Sequence, residues 1–233
     1  MGRIIWLGLV LVVISTFGMW ALPPGSENGG KAADLPVESL KLPEMTESAL
    51  QLPCEPENWS LVVEKSFGYD GPYIEDGSCE PVSNVAGVIL HNAGQRGISF
   101  AVVALEQGEK TTYYSVTWLP AGERVLVLDM ERKEFTDAPI TGCRVLGIRW
   151  DDFSSAPVEI ERLVDNGVEV TNLTQETLTG VRLRYKWYLE DYGIYFGGIT
   201  QCLILPTLSA EERLIAFPET YGADAIRVVA KIK

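Results

Sequence analysis

The sequence predicts an all-β protein: two tandem β-sandwich domains after an N-terminal transmembrane helix or signal segment. Three observations predict it. The chain opens on an uncharged apolar run, continues in short β-branched and aromatic runs punctuated by turn residues, and repeats the order of those runs.

The opening run extends from Ile4 to Leu22, nineteen residues without a charge. As a helix it would reach about 28 Å, close to the hydrocarbon thickness of a bilayer. Arg3 and the amino terminus would stay on the cytoplasmic side and send the rest outward. Cleavage as a signal peptide is the competing reading, although Met19 is a poor residue at −3 if cleavage follows Ala21. Either reading exports the remainder. Residues 1–22 are therefore expected as a membrane anchor or signal segment. Residues 23–52, rich in Pro, Gly, Ser and Glu, are expected as a flexible tether, because they hold too little apolar surface to offset ordering entropy.

After Trp59 the runs SLVVEKSF, NVAGVILHN, ISFAVVALE, TTYYSVTWL, RVLVLDM and CRVLGIRW alternate with GQRG, EQGEK and PAGE. Each run has strand length and strand composition, and each break carries turn residues. A second series follows Asp152: PVEIERLV, GVEVTNL, GVRLRYKWYL, GIYFGGITQCLIL, ERLIAF and AIRVVAKI. Asn92 aligns with Asn172, Val103 with Leu183, Leu119 with Leu208 and Arg124 with Arg213. Asn92 to Leu119 is 27 residues and Asn172 to Leu208 is 36, so the second copy is nine residues longer. The expected domains are residues 53–152 and 153–233, each a sandwich of six or seven strands.

The pattern N-x5-L/I-x4-V/L, a hairpin, then L-x-A/P-G/E-E before a strand resembles small bacterial immunoglobulin-like modules. The second copy is similar to the FxLYD type found on exported proteins. The likeness covers residues 85–150 and 160–233 and rests on turn and core positions. Tyr185-Lys186-Trp187-Tyr188 with Asp191 only approximates the family's Phe-x-Leu-Tyr-Asp run, and the first copy lacks it. The resemblance implies tandem immunoglobulin-like, extracytoplasmic, non-catalytic modules, and it carries over no functional residue.

Composition narrows the function classes. A formal charge of −13 and a pI near 4.6 disfavour nucleic acid, whose binding needs clustered Lys and Arg. The sole histidine, His91, would have to serve any histidine-dependent triad, and it sits at a strand end beside a turn. No Cys-x2-Cys spacing exists for zinc. Among Cys54, Cys79, Cys143 and Cys202 the expected disulfide is Cys54–Cys79, a pair that brackets the first segment of the first domain and lies in polar surroundings. Cys143 and Cys202 lie in apolar strands, as free thiols or a second bridge. Asp70, Glu75, Asp76 and Glu80 offer oxygens in one loop but not the spacing of a calcium-binding hand. Asn58 and Asn172 head glycosylation sequons, and Asn172 also suits a backbone-capping role at its turn. No catalytic, metal or cofactor residue is expected.

The richest stretch is Arg182 to Gly198. Alternation puts Val181, Leu183, Tyr185, Trp187 and Leu189 on a core face and Arg182, Arg184, Lys186 and Tyr188 on a wet one. Glu190 to Gly193 makes the turn of a hairpin. The candidate partner-binding residues are Arg182, Arg184, Lys186, Tyr188, Tyr192 and Tyr195, since Arg and Tyr on an exposed hairpin resemble interaction hot spots. The expected function is display of the modules toward a protein or envelope polymer by a non-enzymatic, membrane-anchored protein. Its alternative is sugar binding by the hairpin aromatics.

Overall fold

Turn residues between the apolar runs divide the chain into fourteen strands among the described residues. The computed structural model describes residues 52–55, 60–163, 167–218 and 226–233. They lie in one compact unit, Ala32–Lys233. The expected anchor and most of the expected tether lie outside the described residues. Among those described, no helix is long and apolar enough to cross a membrane.

The strands are β1 (Leu52–Pro53), β2 (Leu61–Tyr73), β3 (Glu80–Asn92), β4 (Ile98–Gln107), β5 (Lys110–Leu119), β6 (Arg124–Leu128) and β7 (Ile140–Trp150). They continue as β8 (Ser154–Ser155), β9 (Val158–Arg162), β10 (Val168–Asn172), β11 (Arg182–Leu189), β12 (Ile194–Ile204), β13 (Arg213–Ala216) and β14 (Ile226–Ile232). The protein is all-β, as the runs predict. The stretch GYDGPYIEDGSCE is less loop-like than its Gly and Pro suggest. β2 continues through Gly68, Gly71 and Pro72, which pair with Ala86, Val82 and Pro81, and its register shifts fall at Glu64 and Asp70.

Three sheets form. The largest has the order β1-β2-β3-β6-β12-β11-β14-β8, and the smaller ones are β5-β4-β7 and β13-β10-β9. Strands of the two sequence copies meet in the large sheet, where β6 pairs with β12 in parallel through Val125↔Tyr195 and Leu126↔Phe196. Successive strand residues point to opposite faces, and the apolar clusters follow that rule. Val125, Val127, Tyr195 and Tyr188 pack with the β5-β4-β7 sheet. Leu126, Leu128, Phe196 and Trp187 join Phe67, Tyr69 and Tyr73 on the other face. Further along β11, Leu183 and β14 Ala230 pack with Val168 and Val170 of β10. The small sheets thus cover opposite faces of the shared one, and Val125 to Leu128 of β6 are all apolar because both faces of the strand are buried there.

The aligned asparagines are buried and do the same work. Asn92 Nδ2 donates to the carbonyls of Arg96 (2.9 Å), Leu119 (3.1 Å) and Pro120 (3.1 Å), while its Oδ1 accepts the Gly94 N–H. Asn172 Nδ2 donates to Glu176 (2.8 Å), Leu208 (3.3 Å) and Ser209 (2.8 Å), while its Oδ1 accepts the Thr174 N–H. Each pins the turn after its strand to the aligned Leu, Leu119 at the end of β5 and Leu208 in an isolated bridge with Leu178. These amide bonds leave Asn172 occupied as a cap rather than presented as a glycan acceptor.

The disulfide corrects the sequence expectation. Cys54 is bonded to Cys143, not to Cys79, and Cys79 and Cys202 are free thiols. β2 is 13 residues long and carries the chain about 40 Å from Cys54 before the turn that holds Cys79. Residues 54–55 instead run beside β7: the Glu55 N–H donates to Cys143 O, and the Val145 N–H donates to Glu55 O. Cys202 lies exposed on β12.

Removing the bridge in Cys143→Ser frees a loop of separation 89 and should cost about 4 kcal/mol in a denaturant melt under oxidising conditions. Asn92→Ala and Asn172→Ala each strand buried carbonyls. Each should cost about 2 kcal/mol, and the two costs should add, since the asparagines share no partner.

Candidate functional site

The β11–β12 hairpin turns through a short 3-10 segment, Glu190–Tyr192, closed by Gly193 at φ 62. Its two strands do not run in simple register. Tyr185 pairs with Gln201, whereas Trp187 pairs with Phe196, so β12 bulges over residues 197–200. A Cβ on Gly198 would run into the Ser115 carbonyl oxygen of β5, so only glycine permits the approach.

That bulge creates a polar centre between the sheets. Lys186, 2 % exposed, donates from Nζ to the carbonyls of Thr117 and Gly198, each at 3.1 Å. Thr117 Oγ1 donates to Gly198 O at 3.0 Å, and the Thr200 N–H donates to Thr117 Oγ1 at 2.7 Å. Glu75, from the turn between β2 and β3, accepts the N–H groups of Gly198 (2.8 Å) and Leu128 (2.9 Å). Lys186 and Glu75 are therefore linked across one residue of the bulge, Gly198. Desolvation pushes the Glu75 carboxyl up, against its two backbone hydrogen bonds and the nearby ammonium. Desolvation pushes Lys186 down, and attraction to Glu75 opposes that shift. Glu75 keeps some solvent contact through a hollow of about 230 Å³ lined by Tyr73, Asp76, Ser115, Met130, Arg132 and Ile199.

The row expected to face water is mostly covered. Lys186 and Tyr195 are 2 % and 1 % exposed beneath the β5-β4-β7 sheet. Arg184 is buried in an ion pair with Asp151 (3.0 Å) and lies 4.5 Å from the Phe153 ring centroid. Tyr188 is half-buried against Tyr195, with the Arg227 guanidinium 4.9 Å from its ring centroid and Glu123 pairing that arginine. Arg182 remains half-exposed, and Tyr192 stands at the hairpin tip at 41 % exposure. Along β11 from Arg184 to Tyr188, the face expected to be wet meets Asp151, Phe153 and the β5-β4-β7 sheet instead. The six candidates do not form one surface.

Other expected groups also find specific partners. His91 Nδ1 lies 3.0 Å from Glu64 Oε1, and Arg124 Nε donates to Glu64 Oε2 at 2.8 Å. The four loop carboxylates diverge. Asp70 bonds Ser83 and Asn84, Asp76 and Glu80 hold Arg132, and Glu75 turns inward. Among the described residues, no group of three or more His, Cys, Asp or Glu side chains could hold a metal ion. The Gly197-Gly198 pair was the one sequence signal of a close backbone approach. Nothing local marked Glu75, Thr117, Asp151 or Phe153. No protein-family model, curated protein or solved structure matches this chain.

Glu75→Gln and Lys186→Met should each cost about 3 kcal/mol, because each leaves a buried charge without its counterpart. The double variant should cost at least about 1 kcal/mol less than their sum, read by a denaturant double-mutant cycle. Their pH responses should be opposite. In Lys186→Met the folded Glu75 carboxyl stays above its ordinary 4.5, so stability is full below that value and falls as pH rises through the folded value. In Glu75→Gln the folded Lys186 stays below its ordinary 10.5, so stability is full above that value and falls as pH drops. Melts at pH 5 and pH 8 should rank the two variants in opposite order.

Proposed function

We propose that the protein is a non-catalytic, membrane-anchored extracytoplasmic protein that displays two tandem immunoglobulin-like β-sandwich modules at the cell envelope. The observation that carries the reading is the Cys54–Cys143 bridge. It closes the start of the β-structure soon after an apolar run of membrane-spanning length, and such bridges persist in oxidising compartments. The matching asparagine caps support tandem modules of common design. The non-catalytic reading is supported by where the reactive groups go. The only histidine and the inward carboxylates are tied into structural bonds, and Lys186 is enclosed. Residues 1–22 would anchor the chain and residues 23–52 would hold the modules off the membrane.

Cys202 gives the test, because it is an exposed free thiol. In intact cells a membrane-impermeant maleimide should label Cys202 of the full chain without permeabilisation, with Cys202→Ser as the control. The labelled chain should stay with the membrane after an alkaline wash. Labelling only after permeabilisation overturns the outward reading, and a mature N-terminus near residues 19–25 replaces the anchor with secretion.

A further inference from the structure

The two sequence copies put the same strand in different company. β6 and β13 align through Arg124 and Arg213, so Val125 to Leu128 correspond to Leu214 to Phe217. Each pairs with the strand that carries its capping asparagine, β3 for β6 and β10 for β13. Val125 and Val127 turn into the core of the first copy, as Leu214 and Ala216 turn into that of the second. The residues between them are apolar in both strands, but their surroundings differ. Leu126 and Leu128 are 0 % exposed, whereas Ile215 is 50 % exposed and Phe217 58 %. Edge strands that face water are ordinarily blunted by charge. β13 instead keeps the apolar pattern of a covered strand.

What covers β6 defines what fits β13. β12 lies along the outer edge of β6 in parallel, through Val125↔Tyr195 and Leu126↔Phe196. The same β11–β12 hairpin sets Trp187 and Phe196 in the cluster that holds Leu126 and Leu128. β13 ends its sheet, and no strand lies beside its outer edge among the described residues. The chain's own hairpin cannot serve both edges, because Trp187, Tyr195 and Phe196 are already enclosed. A second copy's hairpin is engaged in the same way. The equivalence stops one strand inward: where Ile89 stands beside Leu126, Glu169 stands beside Ile215 and pairs with Arg213. An occupant that covers β13 and not β10 is therefore what the surface fits.

We propose that the outer edge of β13, with Ile215 and Phe217, is a docking site for an aromatic β-hairpin of another protein, added in parallel as β12 is added to β6. Main-chain hydrogen bonds to the open edge supply attachment, and aromatic rings over Ile215 and Phe217 supply selectivity. The proposal rests on the display reading above for its biological setting and names the kind of partner displayed to. Its binding test is independent of that reading.

The probe is a fluorescein-labelled peptide with the sequence of residues 186–198, cyclised head to tail to hold the hairpin. Titrated with the purified full-length chain, it should show a saturable rise in anisotropy. Affinity should fall at least ~10-fold in Ile215→Lys/Phe217→Lys. That variant should melt like the unmodified chain, because both side chains are exposed. A probe carrying Trp187→Ser and Phe196→Ser should not bind. Hydrogen exchange should show new protection of residues 213–216 when the first probe is added. Absence of saturable binding, or unchanged affinity in the lysine variant, overturns the site. Equal binding of the serine probe, or no new protection at 213–216, overturns the aromatic strand as its occupant. Dimerisation that the lysine variant abolishes, without probe binding, gives the edge to a second copy and overturns the hairpin. None of these outcomes alters the maleimide result, so failure here and failure of the display reading are told apart.

Discussion

The arrangement of this protein hangs on one enclosed ammonium group. A lysine inside a sandwich must have acceptors, because a desolvated charge without them is strongly unfavourable. Lys186 finds two carbonyls, Thr117 from β5 and Gly198 from β12, and both are in position because β12 bulges toward β5. The bulge in turn needs glycine at 198, where any side chain would collide with Ser115. Glu75 then holds the same residue, Gly198, by its N–H and bonds to β6 as well. Four strands and one turn, drawn from both sequence copies, are fixed by a network around a single charge.

The extra length of the second copy is what joins the copies. The end of the β11–β12 hairpin does not stand free as a binding finger. Trp187 and Phe196 enter one cluster of the first copy, and Tyr195 enters another on the opposite face. β12 adds itself to β6 in parallel, so the large sheet continues from one copy into the next. The two asparagine caps, by contrast, are confined to their own copies. They hold the two turns alike while the length from the asparagine to the aligned Leu differs.

Charge is managed locally rather than globally. The chain is acidic overall, yet the enclosed cations are matched, Arg184 by Asp151 and Lys186 by nearby Glu75, and the half-exposed Arg227 is paired with Glu123. Glu64 likewise serves both Arg124 and His91 between β2, β3 and β6. These contacts explain why basic residues cluster in the hairpin of an acidic chain. Most of them stabilise the joint.

Local sequence determined the strands, their apolar faces and the repeat. Period-two alternation, turn residues and the Asn-to-Leu correspondence are short-range patterns that depend on backbone geometry alone. Thus Leu183, Trp187 and Leu189 are core residues, and Asn92 and Asn172 do act alike. Alternation cannot say whether the second face of a strand meets water or another sheet, because that depends on neighbours distant in the chain. For this reason Arg184, Lys186 and Tyr195 read as a wet row and became interior. Glu75, more than a hundred residues from Lys186, had no local mark at all. The cysteines show the same boundary: their identities are in the sequence, but only the path of residues 54–55 along β7 decided that Cys54 meets Cys143. Pairing of strands across the copies fixed both outcomes, since register over long separations is set by packing and hydrogen bonding that no short stretch contains.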